Sequence, residues 1–499
     1  MKTNIRPSFV GMIALILCGA ASAQIPDTAW TRTFEGDGIG HCVQQTADGG
    51  YVITGYKYFP TSANDIFVMK TDAYGDSIWA YIYGDMGDDE AYYIQQTNDG
   101  GFIITGKRTV TNQEDLWLLK TDPLGDTLWT KTYGGSYDEQ GFSVQQTPDG
   151  GYIVGGGTSS FGAGPPGTYD VWLLRTDTLG DTLWTRTYGD PGLQDGHGLV
   201  KNTTDGGYII ACHGGGWGNL DLWLIKTDSL GDTLWWKTYG GYDWDIHGWD
   251  FQITSDGGCI LAAYTWSFGP GTPNYSNIWL LRTDSSGDTL WARVYGGTNN
   301  DSPGCVDTTA DGGYVIAGLT KSYGSGGEDL WLIKTDSTGD SLGTRTYGTT
   351  YNDWGQFIRI TSDHGYIITG GYNSPATWHP DIWLLKTQPD LGIAEHEPSS
   401  EVKAMSLQVS PNPFYYTTKI RYSLLDTRYS MRNPAISIYD ATGRLVRSFN
   451  LESSIQNLES EVMWDGTDQA GRKLASGVYF VKLTDGDKSI VEEKVILIR

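Results

Sequence analysis

The stretch from Asp115 to Gly135, DLWLLKTDPLGDTLWTKTYGG, holds two patterns of apolar and polar positions. Leu116-Trp117-Leu118-Leu119 puts apolar side chains on both faces of an extended strand, so that strand must be covered on both sides. Thr127 to Tyr133 reads as a further short strand. Gly and Asp, the residues that end strands and make turns, separate the two. In the next copy two further runs come first, Phe142 to Thr147 (FSVQQT) and Gly151 to Gly155 (GYIVG). The pair then returns as Asp170 to Thr176 and Thr182 to Tyr188. The unit therefore reads as four short strands, A to D, and helix signals are nearly absent.

Two marks count the copies. The Asp of the turn written xDGGY falls at Asp48, Asp99, Asp149, Asp205, Asp256, Asp311 and, as DHGY, Asp363. The aromatic of the D-x-W-L-L-K-T-D run falls at Phe67, Trp117, Trp172, Trp223, Trp279, Trp331 and Trp383. Both count seven, at intervals of 50 to 56 residues, a period that signals a propeller, solenoid or array. After Asp381 to Thr387 no GDTLW-like strand follows, but Asp27-Thr28-Ala29-Trp30-Thr31-Arg32-Thr33-Phe34 supplies one at the other end. The expected fold is all-β: a seven-bladed β-propeller closed by its N-terminal strand. An open β-array with a spare strand is the alternative, and its uncapped apolar ends would invite aggregation.

The expected domains are a signal peptide at 1–23, the propeller at 24–388, a polar proline-bearing linker at 389–405 and a C-terminal β-sandwich at 406–499. Lys2 and Arg6, the apolar run from Phe9 to Cys18 and Ala21-Ser22-Ala23 make up the signal, whose apolar run is too short to span a bilayer. Lipidation at Cys18 is the rival reading; Leu17 stands where a small residue would be expected. No later segment is long and apolar enough to cross a membrane. A net charge of −25 argues against nucleic acid, whose phosphates need basic surfaces. Cys42 and Cys305 sit at matching places in strand A, and Cys212 and Cys259 of adjacent units are able to pair in an oxidising compartment.

Topology divides the expected propeller into two faces. The A–B and C–D turns are short and repetitive; the B–C and D–A loops differ from copy to copy, and variable loops on a rigid scaffold are where binding residues are usually placed. An acidic residue recurs before strand A, at Asp37, Asp89, Asp138, Asp195, Asp245, Asp301 and Asp353. These either ring a central opening and attract a cation or cap their own turns. The K-T-D-x-x-G-D turns raise calcium as a cofactor but lack the bidentate Glu of a helix-flanked loop. His197, His213 and His247, together with Asp195 and Asp245, form a candidate metal set, against the reading of scattered surface histidines. Trp217, Trp244, Trp249, Trp266, Tyr275, Trp354 and Trp378 are candidates for stacking on sugar rings or for packing between blades. Catalytic signatures are missing: there is no G-x-S-x-G elbow, no H-E-x-x-H and no phosphate loop opening a helix.

The C-terminal region carries a resemblance. Ser410-Pro411-Asn412-Pro413-Phe414, then Ile436 to Val446 with Tyr439, Asp440, Gly443 and Arg444, then Gly477-Val478-Tyr479-Phe480 look like the C-terminal sorting domain read by the bacterial type IX secretion system. Trp464 to Gly471 (WDGTDQAG) is more similar to the immunoglobulin-like domain of flagellar hook-capping proteins. The resemblance covers about the last 95 residues and implies export through the type IX machinery to the outer membrane surface. The segment's own pattern of seven short strands also indicates a β-sandwich. The propeller resembles repeat arrays of uncharacterised secreted bacterial proteins, which brings no activity with it. The expected function is a secreted or cell-surface binding or adhesion module with a glycan or protein ligand on the variable face. A polysaccharide-acting enzyme and a structural surface-layer protein are the alternatives.

Overall fold

The computed structural model describes residues 25–60, 63–110, 113–165, 167–189, 194–216, 219–373, 380–390, 405–410, 412, 414–424, 434–440, 444–451, 460–485 and 488–497. The chain divides into two compact units, Met1–Ala394 and Glu395–Arg499. Every described element is a strand, and no helix among the described residues is long and apolar enough to cross a membrane. The expected signal peptide lies outside the described residues.

In the first unit the strands form repeated four-stranded antiparallel sheets in the order A-B-C-D, consistent with the blades of a β-propeller. Six of the seven sheets are continuous in sequence, spanning 38–83, 90–133, 139–188, 194–239, 245–295 and 301–347. The seventh takes A, B and C from 353–387, and its fourth strand is Thr28–Phe34, paired antiparallel with Asp381–Thr387. Strand C is buried along its apolar run, as in Asp170–Thr176, while strand D is exposed or half-buried along most of its length, as in Thr127–Tyr133. Each A strand lies against the next, and that of the seventh sheet lies against that of the first.

One interaction ties the two sequence marks together. Lys120 Nζ, from the W-L-L-K-T run, reaches Asp99 of the DGG turn at 2.9 Å and donates to its neighbour's carbonyl, Thr121 O, at 2.8 Å. The same ion pair joins Lys70 to Asp48, Arg175 to Asp149, Lys226 to Asp205, Arg282 to Asp256, Lys334 to Asp311 and Lys386 to Asp363.

A second interaction joins neighbouring sheets. The Trp of strand D lies on the C–D turn of the next sheet, where Gly180 has φ of +80° and an added Cβ would meet the Trp129 ring at 2.8 Å. Only glycine meets both demands. Lys131 reaches Asp181 of the same turn at 2.8 Å. The borrowed strand repeats this junction on the first sheet: Trp30 lies 2.6 Å from the Cβ position of Gly75, and Arg32 reaches Asp76 at 3.1 Å. On its other side Arg345 of the sixth sheet reaches Asp27 at 2.7 Å. The N-terminal strand therefore makes the junctions of an ordinary D strand.

The second unit holds a three-stranded sheet of Met405–Ser410, Thr418–Leu424 and Ser460–Trp464. Its partner is a four-stranded sheet of Leu445–Asn450, Pro434–Asp440, Gly477–Asp485 and Lys488–Leu497. The two share a core that includes Ile420, Ile436, Val481 and the fully buried Trp464. Trp464 Nε1 donates to Thr467 O at 3.0 Å, which satisfies the one polar group its burial would otherwise strand.

Candidate ligand and metal site at the inner strands

Every A strand carries a register shift near its first residues, so A begins earlier than its apolar run suggests: at Glu139 in the third copy. The bulged residues are His41 in the first sheet, Tyr92 in the second, Phe142 in the third and His197 with Gly198 in the fourth. They are Gly248-Trp249-Asp250 in the fifth, Gly304 in the sixth and Gln356 in the seventh. A bulge adds a residue to one strand and re-aims its side chain. Because the A strands are innermost, the re-aimed rings meet one another.

Trp249 stacks on His41 with centroids 5.9 Å apart, and His41 on Tyr92 at 5.4 Å. Tyr92 stacks on Phe142 at 5.2 Å, and Phe142 meets His197 at 4.3 Å. His197 then meets His213, at 5.2 Å, and His213 meets His247, at 5.1 Å. This layer lies at the end of the sheets that bears the B–C and D–A loops, since Glu139 pairs with Thr158 where the B–C loop begins.

His197, His213 and His247 each offer a ring nitrogen, and the three nitrogens lie within 4.8 Å of one another. His213 comes from strand B of the fourth sheet, opposite Gly196, and His247 from strand A of the fifth. His197 sits in the bulge with φ of +58°, in the left-handed region. His247 Nδ1 lies 2.5 Å from Gly248 O, a contact that requires the proton on Nδ1 and leaves the Nε2 lone pair without one. Buried His247 Nε2 and His213 Nδ1 make no hydrogen bond. Burial pushes His197 and His247 down to about 4 and moves His213 well below the ordinary imidazole value. All three rings are therefore neutral near pH 7, although His197 keeps an edge open to water.

Beneath this layer lies a buried ionic knot. Asp250 accepts from Lys201 Nζ at 2.9 Å and from Arg359 Nη2, joining the fourth, fifth and seventh sheets. Arg359 also lies over the Phe357 ring at 4.2 Å, and its Nη1 approaches Cys305 Sγ at 3.1 Å. Burial opposes the charge on Lys201, but Asp250 prevails and holds it above the ordinary lysine value, so Lys201 stays protonated and is no general base. Burial pushes the Cys42 thiol up to about 12 and the Cys305 thiol up to about 11, which leaves both without nucleophilic character near neutrality. No disulfide joins the four described cysteines; Cys212 and Cys259 are both buried and are not bridged.

Four of the acidic residues before strand A act on their own turns. Asp89 accepts from Asp85 N at 3.1 Å, Asp245 from Gly241 N at 2.7 Å, Asp301 from Gly297 N at 2.8 Å and Asp353 from Thr349 N at 2.6 Å. In the third copy the role belongs to Glu139, which accepts from Gly135 N at 2.8 Å, whereas Asp138 accepts from Glu114 N. Asp245 also accepts from Ser267 Oγ at 2.8 Å and stands outside the histidine cluster. The side chain of Asp195 is outside the described residues. Asp221 is pushed up to about 6 by burial and then by the neighbouring Asp245. Its pairing is repeated by Asp115 with Glu139 and Asp329 with Asp353, so it does not stand out as an isolated catalytic acid. In the K-T-D-x-x-G-D turns one carboxylate oxygen of Asp122 accepts from Leu124 N and Asp126 N at 2.8 and 2.9 Å, and Asp177, Asp228 and Asp284 do likewise.

The candidate stacking residues fall in several places. Trp244 and Trp266 meet edge to face at 6.1 Å, and Trp266 stacks on Tyr264 at 6.0 Å with the planes 7° apart. Trp249 belongs to the inner layer and lies in the A strand of the fifth sheet, whose partner strand carries Tyr264, so both aromatic groups stand on one sheet at its loop-bearing end. Tyr275 is exposed on the loop before Asn277–Thr283, and Trp354 packs on the Gly371 backbone. Trp217 and Trp378 lie outside the described residues. His41, Tyr92, Phe142, Lys201, Asp250 and Arg359 were not singled out by spacing. Aligning the seven A strands at their C-terminal ends exposes them: Asp250 falls where the other copies have Cys42, Tyr93, Ser143, Leu199, Cys305 and Phe357.

In the second unit Arg444 Nε reaches Asp440 at 2.9 Å, Asp440 pairs with Tyr479, and Tyr479 Oη donates to Ala475 O at 2.7 Å. Tyr439 and Gly477 lie in the paired strands beside them. Asn412 is exposed; Pro411, Pro413 and Gly443 lie outside the described residues.

Among known proteins, residues 426–489 match the FlgD Ig-like domain family, the hook-capping part of the C-terminal resemblance. No curated protein matches the chain. Similar solved structures include a puromycin hydrolase at 13% identity and TM-score 0.45, covering 77% of this chain; this chain spans 58% of that one. The polysaccharide lyase Uly1 is 10% identical with TM-score 0.44, over 70% of this chain and 90% of its own. Sqt1 from Chaetomium thermophilum is 10% identical with TM-score 0.41, over 74% and 88%.

Proposed function

We propose that the first unit is a seven-bladed β-propeller that acts as a secreted or cell-surface binding module, with its ligand site on the loop-bearing end of the inner strands. The observation that carries this reading is the aromatic group of Trp244, Trp266 and Tyr264 on the fifth sheet, which also supplies Trp249 to the inner ring layer. Flat amphipathic rings suit sugar faces or an apolar protein surface. Binding is favoured over catalysis because the central groups are inert: the buried thiols stay protonated and Lys201 stays charged. The C-terminal sandwich serves as the sorting module, in the manner of type IX cargo.

A glycan-array screen of the secreted chain tests the binding role. Saturable binding that weakens in Trp266→Ala supports it. Unchanged binding in both Trp249→Ala and Trp266→Ala moves the site elsewhere. For sorting, a chain lacking residues 406–499 should be retained in the periplasm, and normal surface display of that chain overturns the assignment.

A further inference from the structure

We infer that His197, His213 and His247 together hold one divalent transition-metal ion of the zinc class. The inference is independent of whether the aromatic surface binds a glycan.

Three observations converge on it. The nitrogens of three side chains from two sheets lie within 4.8 Å of one another. In a tetrahedral zinc site, with Zn–N of about 2.0–2.1 Å, neighbouring nitrogens stand about 3.3 Å apart, so small torsional changes close the set. The polar atoms are also arranged as ligands. His247 Nδ1 is spent on Gly248 O at 2.5 Å, the backbone bond that fixes the tautomer of metal-ligating histidines and presents Nε2. That Nε2 and His213 Nδ1 are buried without hydrogen bonds, a cost that a metal ion removes.

The cluster is also specific to its place. His197 and His247 sit in the early A strands of the fourth and fifth sheets, where the other copies carry no histidine except His41. His41 is occupied instead by Ala91 O at 3.0 Å. Imidazole nitrogens select zinc, copper or nickel over calcium and magnesium, which take oxygen ligands. With three protein ligands and the open edge at His197, a fourth position faces water and accepts a solvent molecule or an anionic donor from a ligand.

The test uses the full chain without a histidine tag, stripped with a chelator and titrated with zinc chloride against a chromophoric competitor. One equivalent per chain is expected, with at least about a tenfold loss of affinity in His213→Gln and in His247→Gln. Equal binding by both variants overturns the inference, as does absence of stoichiometric binding by the parent. The metal-free melting curve of each variant establishes that it folds. If neither folds, X-ray absorption of the zinc-loaded parent decides: three imidazole ligands support the site, and two or fewer overturn it.

Discussion

The two ends of the same seven sheets are built on opposite rules. At the A–B turn end each copy makes the same clasp, a Lys or Arg of strand C on the Asp of the DGG turn, from Lys70 with Asp48 to Lys386 with Asp363. At the other end the copies part company: the bulges bring in His41, Tyr92, Phe142, His197, Trp249, Gly304 and Gln356. A contact repeated in every copy is what a sheet needs in order to form and stack. A side chain present in one copy alone serves no such common need, and here the rings of Trp249, His41, Tyr92, Phe142 and His197 touch in series. Departures from the repeat therefore locate the candidate site better than the repeat does.

The largest expected effect falls on closure. Removing residues 27–34 strips the seventh sheet of its outer strand and both junctions made by Trp30, Arg32 and Asp27, so cooperative unfolding of the whole first unit should move to much lower temperature. An unchanged calorimetric transition would refute closure by this strand.

Next comes the knot. Asp250→Ala leaves Lys201 and Arg359 buried without their shared carboxylate and should cost about 3–5 kcal/mol in denaturant unfolding. A loss below about 1 kcal/mol would make Asp250 no more important than a repeated surface acid. Gly180→Val at the sheet junction demands a left-handed backbone and collides with Trp129, a combined cost of about 2–4 kcal/mol.

The smallest effects belong to the repeated turns. Lys120→Met should change stability by about 1 kcal/mol or less, because Asp99 is largely solvent-exposed and is also held by its own turn. Their pH signature is opposite to that of the loop end. Thr203 and Lys226 hold Asp205 at about 2, and Arg282 and Thr254 hold Asp256 at about 2, against an ordinary 3.8. Their stabilisation is complete above pH 3.8 and lost as pH falls through about 2. Asp221, raised to about 6, contributes in the opposite sense: its term is complete below 3.8 and lost as pH rises through about 6. Calorimetry should show a steep loss of stability below pH 4 in the parent. In Asp221→Asn the decline between pH 4 and 6 should shrink.

The sheets were legible in the sequence because burial on both faces of strand C leaves a continuous apolar run, repeated seven times between Gly and Asp turn signals. The borrowed strand was legible because Asp27 to Phe34 repeats the strand D motif. The histidine set was partly legible as residues, since His197, His213 and His247 stood near the starts of loops and strands, but spacing did not show that the nitrogens converge. The inner layer was hidden because a bulge changes which face a side chain takes without changing the composition of the run. Asp138 stood in for Glu139 for a different reason: two acids stand side by side there, and only Asp was followed from copy to copy. The ionic knot was hidden because its members, Lys201, Asp250 and Arg359, lie in different copies and meet only at the centre.

Crystals grown with zinc and measured on both sides of the zinc absorption edge test the contrast between the two ends most directly. The account predicts one strong anomalous peak among His197, His213 and His247 and none along the seven Asp-containing turns. Peaks distributed over the turns with none at the histidines would contradict it.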